Sequence, residues 1–282
     1  MKIAVTGAAG FIGRHVLNEL ARHAVETIAV VRPSATETAS LPCSSVVRLD
    51  IQRASADAFE LMGRPDTLIH LAWGGLPNYK SLHHFEHELP TQYQFLKTLV
   101  ASGLRNLLVT GTCFEYGMQS GPLSEDTEPR PSNPYGFAKD TLRRELEYLK
   151  AAHPFNLVWT RLFYLYGEGQ SENSLFPKLR KAVERGDLAF DMSSGEQLRD
   201  YLPVTEVAKA IVALALKQRD IGTINVCSGQ PVSVRTLVEG WIRDNGWSIS
   251  LNLGRFPLPD YEPMAFWGDP RRLKTLVEPG CQ

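Results

Sequence analysis

Short apolar runs recur along the first half of the chain: KIAVTG, TIAVV, SVVRL, DTLIHLAW, NLLVTGT and NLVWTRL. Each is about the length of a buried strand, is rich in β-branched residues, and is bounded by polar or glycine positions. FIGRHVLNELARH follows the first run and sets Phe11, Val16, Leu17 and Leu20 at helical spacing. Residues 86–102, rich in leucine, and 134–150, with charges spaced for a solvated face, predict two further helices. Strands that alternate with helices predict an α/β fold with a doubly wound parallel sheet. After about residue 167 the alternation loosens. SLFPKLRKAVERG, VTEVAKAIVALALK and SVRTLVEGWIRDNG predict helices, GTINVCS predicts a strand, and Pro257, Pro259, Pro263 and Pro270 then crowd the end. The pattern divides into a sheet domain over 1–166, to which segments of about 190–230 return, and a smaller lobe made mostly of 167–282. That lobe is expected to cover the C-terminal edge of the sheet, where open α/β sheets bind ligands.

Composition narrows the function. The 282 residues are 43% hydrophobic with a formal net charge of −1, which suits one soluble globular unit or two closely packed ones. There is no basic footprint for nucleic acid and no run apolar enough to span a membrane. The apolar start lacks a cleavage-like end and is not read as a signal peptide. Cys43, Cys113, Cys227 and Cys281 lie far apart and match no zinc spacing, so they read as reduced thiols of a cytoplasmic protein. HHFEHE sets His83 and His87 four residues apart, but its glutamates are misplaced for a zinc motif and no third ligand is evident. No metal site is predicted, and this stretch reads as a solvated helix start.

The first candidate chemistry is the loop TGAAGFIG, with Gly7, Gly10 and Gly13 between a strand and a helix. Gly7 permits the tight turn, Gly10 lets backbone approach a pyrophosphate, and Gly13 lets helix and strand pack closely. The helix N-terminus presents N–H groups to phosphate, with Ala9, Phe11 and Ile12 in the same cofactor-binding stretch. The second strand ends in VVRPS, so Arg32 and Ser34 stand where an acid would hold the ribose 2′-hydroxyl of NAD. An arginine there favours a 2′-phosphate, hence NADP(H), with NAD(H) the alternative if Arg32 only stacks on adenine. Asp50 is placed to bond the adenine amine with Ile51 against the ring, or else to cap a helix.

NPYGFAK sets Tyr135 and Lys139 four apart on a helix started by Asn133 and Pro134, so both side chains share a face. An ammonium and a cationic nicotinamide beside the phenol are expected to lower its titration point. The phenol then exchanges a proton with a carbonyl or alcohol oxygen near neutral pH.

In order, TGAAGFIG, LDI, HLAW, TGTCFEYG, NPYGFAK, RLFYLYGEG and RDYLPV cover roughly residues 1–230. The series resembles the extended short-chain dehydrogenase/reductases that modify nucleotide sugars. The resemblance implies a Rossmann-type sheet with a smaller C-terminal substrate-binding lobe, and a homodimer formed through the helices near 86–102 and 134–150. It implies Thr112, four positions before Tyr116, as the hydroxyl that holds the substrate oxygen beside Tyr135, with Lys139 as the third catalytic residue. Thr110 is the alternative, packed at a strand end. Leu71, Ala72 and Trp73 match the segment beneath the nicotinamide ribose; a second alanine usually stands where Trp73 is, and the indole either narrows the pocket or belongs to the core. Arg161, Leu162 and Tyr164 match a strand end whose backbone orients the nicotinamide, although an Asn is common at the place of Tyr164. Asn173, Ser174 and Leu175 match a segment that touches the sugar's nucleotide. Arg199 matches an arginine that grips the diphosphate, against the alternative of a surface salt bridge.

Three reactions of the family compete. Dehydratases carry an acid pair after the hydroxyl, where this chain has Cys113 and Phe114. Neither replaces it, and Glu115, one place later on an extended segment, would face away. Cys113 and Phe114 are therefore assigned to substrate contact rather than dehydration. The expectation is reduction by NADPH of a 4-keto-6-deoxyhexose linked to dTDP, CDP or GDP, serving surface-polysaccharide and O-antigen synthesis. A 4-epimerase with tightly bound NAD is the alternative. A non-catalytic NADP-binding regulator is the alternative of another class.

Overall fold

The computed structural model describes residues 1–277 except Glu37 and Pro259. Pro259 and Cys281, named above, lie outside the described residues.

The strongest apolar runs form the central sheet. These are β1 (Lys2–Thr6), β2 (Glu26–Val31), β3 (Ser45–Arg48), β4 (Thr67–His70) and β5 (Asn106–Thr112). After a short β6 (Gly121–Leu123), β7 (Asn156–Leu162) joins the same sheet. So does β11 (Gly222–Val226), once β8 (Tyr164–Tyr166), β9 (Ala189–Asp191) and β10 (Leu198–Pro203) have passed. All seven strands run parallel in the order β11-β7-β5-β4-β1-β2-β3. Ile3, Ala4 and Val5 are all fully buried, so β1 has no polar face, as a strand covered on both sides requires.

One face carries α1 (Phe11–Leu20), α6 (Val204–Ala215) and α8 (Arg271–Val277), packed through Val16, Leu17, Ile211 and Leu273. The other carries α2 (Ala58–Leu61), α3 (Leu89–Ala101) and α4 (Pro134–Ala152), packed through Phe59, Leu96, Leu142 and Trp159. A separate apolar cluster joins α5 (Leu175–Glu184) to α7 (Val234–Asp244) through Leu179, Val238 and Trp241. Small sheets accompany it: β10 lies between β8 and β12 (Pro231–Ser233), β9 pairs with β13 (Ser250–Asn252), and β14 (Phe266–Gly268) pairs with β6.

The sheet order reverses between β1 and β4, which opens a crevice at their C-terminal ends. The glycine loop fills its edge. Gly7 has φ +68°, and a Cβ there would stand 3.1 Å from the Ala72 nitrogen. A Cβ on Gly13 would stand 2.2 Å from the Gly7 carbonyl oxygen, so the close packing of α1 on β1 requires glycine.

Three sequence expectations are corrected. DTLIHLAW is a strand only to His70, because the backbone then leaves the sheet to pass Gly7. The helix expected from 86 begins at Leu89, with a π-helical turn over His84–Glu88 ahead of it; Pro90 has no N–H for a regular helical ladder. The HHFEHE stretch is not simply solvated, since His84 and Glu88 are buried. Among the described residues no helix is long and apolar enough to cross a membrane, and no cluster of His, Cys, Asp and Glu could hold a metal ion.

Candidate active site

The sheet order lines up the expected residues along one edge. From the rim inward come Asp50 after β3, Arg32 after β2, the glycine loop after β1, Leu71–Trp73 after β4, Thr110 and Thr112 on β5, and Leu162–Tyr164 at β7. From β2 to β5 is three strand spacings, about 14 Å, room for an extended dinucleotide. Its phosphates would meet the N-terminus of α1, where Gly10 provides no side-chain cap for the helix N–H groups. Arg32 and Ser34 are exposed, and Arg32 makes no ion pair among the described residues. Arg48 ties the adjoining loop by donating to the carbonyls of Pro33 and Ala35, at 2.9 and 2.8 Å. Asp50 caps the short helical turn Ile51–Arg53 by accepting the Gln52 N–H at 3.1 Å.

The helix that carries Tyr135 and Lys139 is placed by its own first turn. Asn133 accepts the Gly136 N–H at 2.8 Å, and Pro134 needs no partner. A Cβ on Gly136 would stand 2.5 Å from the Phe114 carbonyl oxygen, so α4 packs directly on the turn after β5. Tyr135 and Lys139 thus share a buried face. The Lys139 ammonium donates to the Thr110 carbonyl at 2.8 Å and lies 3.9 Å from the centre of the Trp73 ring. Thr112 is the N-cap of a 3₁₀ turn, Cys113–Tyr116, and its hydroxyl accepts the Phe114 N–H at 3.3 Å. Thr112 also favours the ionised form of Tyr135, a smaller effect than the burial that opposes it. Thr110 is packed at the strand end, its hydroxyl donating to the His70 carbonyl at 3.3 Å.

Two expectations change here. The segment after Thr112 is a 3₁₀ turn rather than extended chain. Glu115 closes its capping box by accepting the Thr112 N–H at 2.8 Å. The Glu115 carboxylate does face away from the site: it is fully buried, accepts from Trp159 and pairs with Arg161 at 2.7 Å. The second change concerns Tyr135, expected to titrate low. Burial among Trp73, Tyr79, His84 and Phe114 raises its pKa instead, with Tyr79, Glu115 and Cys113 adding to the rise. In this enclosure Tyr135 is held as a phenol, a proton donor.

Burial pulls Lys139 down to about 7, against the charges of Glu115 and Glu88. The unfolded value is near 10.4. Below about pH 7 both states are protonated and the fold bears the cost of a buried cation. Between about 7 and 10 the unfolded chain binds more protons, so stability rises with pH. Lys139→Met is therefore expected to stabilise the protein by roughly 1–3 kcal/mol at pH 6, with the gain shrinking towards pH 10. Urea melts at the two pH values check this.

Trp73 packs against the core and also faces Tyr135 and Lys139. Its N–H donates to His84 Nδ1 at 3.1 Å, and its ring meets Tyr135 edge-on, centroids 6.1 Å apart. Phe114 contacts Tyr79, Tyr135, Tyr164 and Tyr261. Cys113 is buried and its thiol is pushed up by desolvation, which leaves it unreactive. Tyr164 also lines a cavity of about 330 Å³ with Leu175, Tyr201, Arg199 and Glu262. Of the Asn173–Leu175 segment, Leu175 lines the cavity, Asn173 is exposed, and Ser174 stands at the N-cap of α5.

Arg199 is not a surface salt bridge. It is 2% exposed and donates through Nε and Nη2 to Glu262 Oε2 at 3.1 and 2.8 Å. Tyr79, His84, Tyr261 and Glu262 also surround Tyr135, Phe114 and Arg199; Tyr79, Tyr261 and Glu262 stand on irregular segments without periodicity or motif, and the HHFEHE stretch that holds His84 reads in the sequence only as a solvated helix start.

Comparisons with known proteins agree with this geometry. The model of the "NAD dependent epimerase/dehydratase family" matches residues 3–227. The dTDP-6-deoxy-L-talose 4-dehydrogenase (NAD(+)) of Aggregatibacter actinomycetemcomitans is 33% identical over 270 residues, covering 95% of this chain and 99% of its own. The UDP-glucose 4-epimerase of Azospirillum brasilense is 28% identical, covering 84% of this chain and 76% of its own. The solved structure of MoeE5 in complex with UDP-glucuronic acid and NAD superposes with a TM-score of 0.83 at 27% identity, covering 98% and 92%. The cofactor in the first and last of these names is NAD, so they give no support to the NADP(H) preference expected from Arg32.

Proposed function

The chain belongs to the NAD-dependent epimerase/dehydratase family, and on that premise we propose that it reduces the 4-keto group of a nucleotide-linked 6-deoxyhexose. One observation supports the reading: Tyr135 and Lys139 share a buried helix face packed on the turn that Thr112 caps, and the carboxylate of Glu115 in that turn is turned away into its pair with Arg161. The 4-dehydrogenase relative oxidises the C4 alcohol of a 6-deoxyhexose; run backwards, that reaction is a 4-keto reduction.

The glycine loop with Gly7, Gly10 and Gly13 and the edge from Arg32 to Lys139 would hold a nicotinamide dinucleotide, which in reduced form would supply a hydride to C4. Tyr135 gives its hydroxyl proton to O4, and the ketone becomes a secondary alcohol. Thr112 steadies the same oxygen as charge develops on it. Lys139 holds a positive charge beneath the phenol and stabilises the phenolate left behind. Phe114 and Tyr79 wall off water from the phenol.

The direct test is a panel of 4-keto-6-deoxyhexose nucleotides with NADH and NADPH. Oxidation of the cofactor with at least one sugar supports the reading; none with any sugar refutes it. A 4-epimerase would instead interconvert plain hexose nucleotides without net cofactor turnover. The relative named as a UDP-glucose 4-epimerase keeps this second reading in the test.

Arg32 supports use of NADPH, with NADH also accepted. Arg32→Ala is expected to lower kcat/KM for NADPH about 10–100-fold and to leave NADH within about threefold, the size of a lost charge-assisted phosphate contact. Steady-state kinetics with both cofactors check it. Equal losses for the two would assign Arg32 to adenine stacking.

A further inference from the structure

The side chain under Tyr135 has a support that the reaction as derived above does not use. Lys139 is 2% exposed, and among the described residues its ammonium has one hydrogen-bond acceptor, the Thr110 carbonyl. Its other neighbour is the face of Trp73, 3.9 Å from nitrogen to ring centre. The indole is itself fixed. Its N–H donates to His84 Nδ1 at 3.1 Å, and His84 Nε2 donates to the Asn78 carbonyl at 2.9 Å. That pair of bonds defines one tautomer of a neutral imidazole. The two rings also stack, with an interplanar angle of 24°. His84 is fully buried at the start of the π-helical turn, so Asn78, His84 and Trp73 form a continuous brace from the loop to the lysine.

We propose that Trp73 and His84 act as positioning residues that keep Lys139 in its ammonium form beneath the Tyr135 phenol. The negative face of the indole replaces the hydration that burial removes, and His84 keeps that face turned to the nitrogen. A cation over an aromatic face is favoured more strongly when it is desolvated, as here. The inference rests on the Tyr135–Lys139 pair being the proton-transfer unit. The other ionisable groups that face Lys139 are His70 on β4, Glu115 in the turn after β5, Glu88 and His84 in the π-helical turn, and Tyr135 on its own helix. Glu88 and Glu115 support the charged form, and burial opposes it.

The test is the titration of Lys139 in the whole protein, read by NMR of ¹³Cε-labelled lysine and assigned by the signal that Lys139→Met removes. Trp73→Leu is expected to lower the midpoint by about one pH unit, the scale of one desolvated cation–π contact. Trp73→Phe, which keeps a ring and the fold, should shift it by less than about half a unit. His84→Leu should lower it in the same direction, and His84→Gln, which still accepts the indole N–H, should restore it. The alkaline limb of kcat should move with the midpoint. Midpoints of Trp73→Leu and His84→Leu within about 0.2 of the parent would overturn the proposal and leave a packing role. The titration needs no substrate, so it is judged apart from the reductase reading, whose failure would show as absent cofactor oxidation by the parent protein.

Discussion

Tyr135→Phe is expected to lower kcat for 4-keto reduction by about 10³-fold, while dinucleotide affinity stays within about threefold. The substitution removes one oxygen. The ring contacts to Trp73, Tyr79, His84 and Phe114 persist, so the enclosure should not collapse. What is lost is the phenol that shares a buried helix face with Lys139. Single-turnover mixing with reduced cofactor separates this from a binding defect, because the hydride step itself must slow. A loss below tenfold would mean that another group, or water, protonates O4.

The second large effect is structural. Glu115→Ala should destabilise the fold by about 3–5 kcal/mol, because it leaves the Arg161 guanidinium buried without its carboxylate. Arg161 is 2% exposed and stacks 4.5 Å over Tyr116, so solvent cannot replace the lost partner. Trp159 and the Thr112 N–H lose their acceptor in the same change. At this size the melting temperature falls by roughly 10 °C. Removing both charges, as in Glu115→Leu with Arg161→Leu, should recover much of the stability. It should not recover full activity, because the Thr112 cap is still broken. Thermal melts and kinetics of the single and double variants check both parts.

These predictions show how far the sequence could be read. The catalytic helix was legible because Asn133, Pro134, Tyr135 and Lys139 combine a cap with an i, i+4 pair, both local rules. The central strands were legible because burial on both faces leaves uninterrupted apolar runs. Trp73 could be read as core or as pocket, and the structure packs it against the core with one face turned to Lys139. Glu262 was invisible, since its partner Arg199 is 63 residues away and no pattern links them. The strands β8, β9 and β12 are three residues each, too short to show a period. The sequence reveals the lysine near Tyr135 but not the rings that bury the phenol and raise its pKa.

The proposed function rests on one transfer, and isotope labelling reads it directly. The protein is mixed with a 4-keto-6-deoxyhexose nucleotide and a reduced cofactor carrying deuterium at the transferable C4 position, and the product is analysed by NMR. The account predicts deuterium at sugar C4, one for each cofactor oxidised, with a 6-deoxyhexose product. Unchanged cofactor, together with epimerisation of a plain hexose nucleotide, would contradict it.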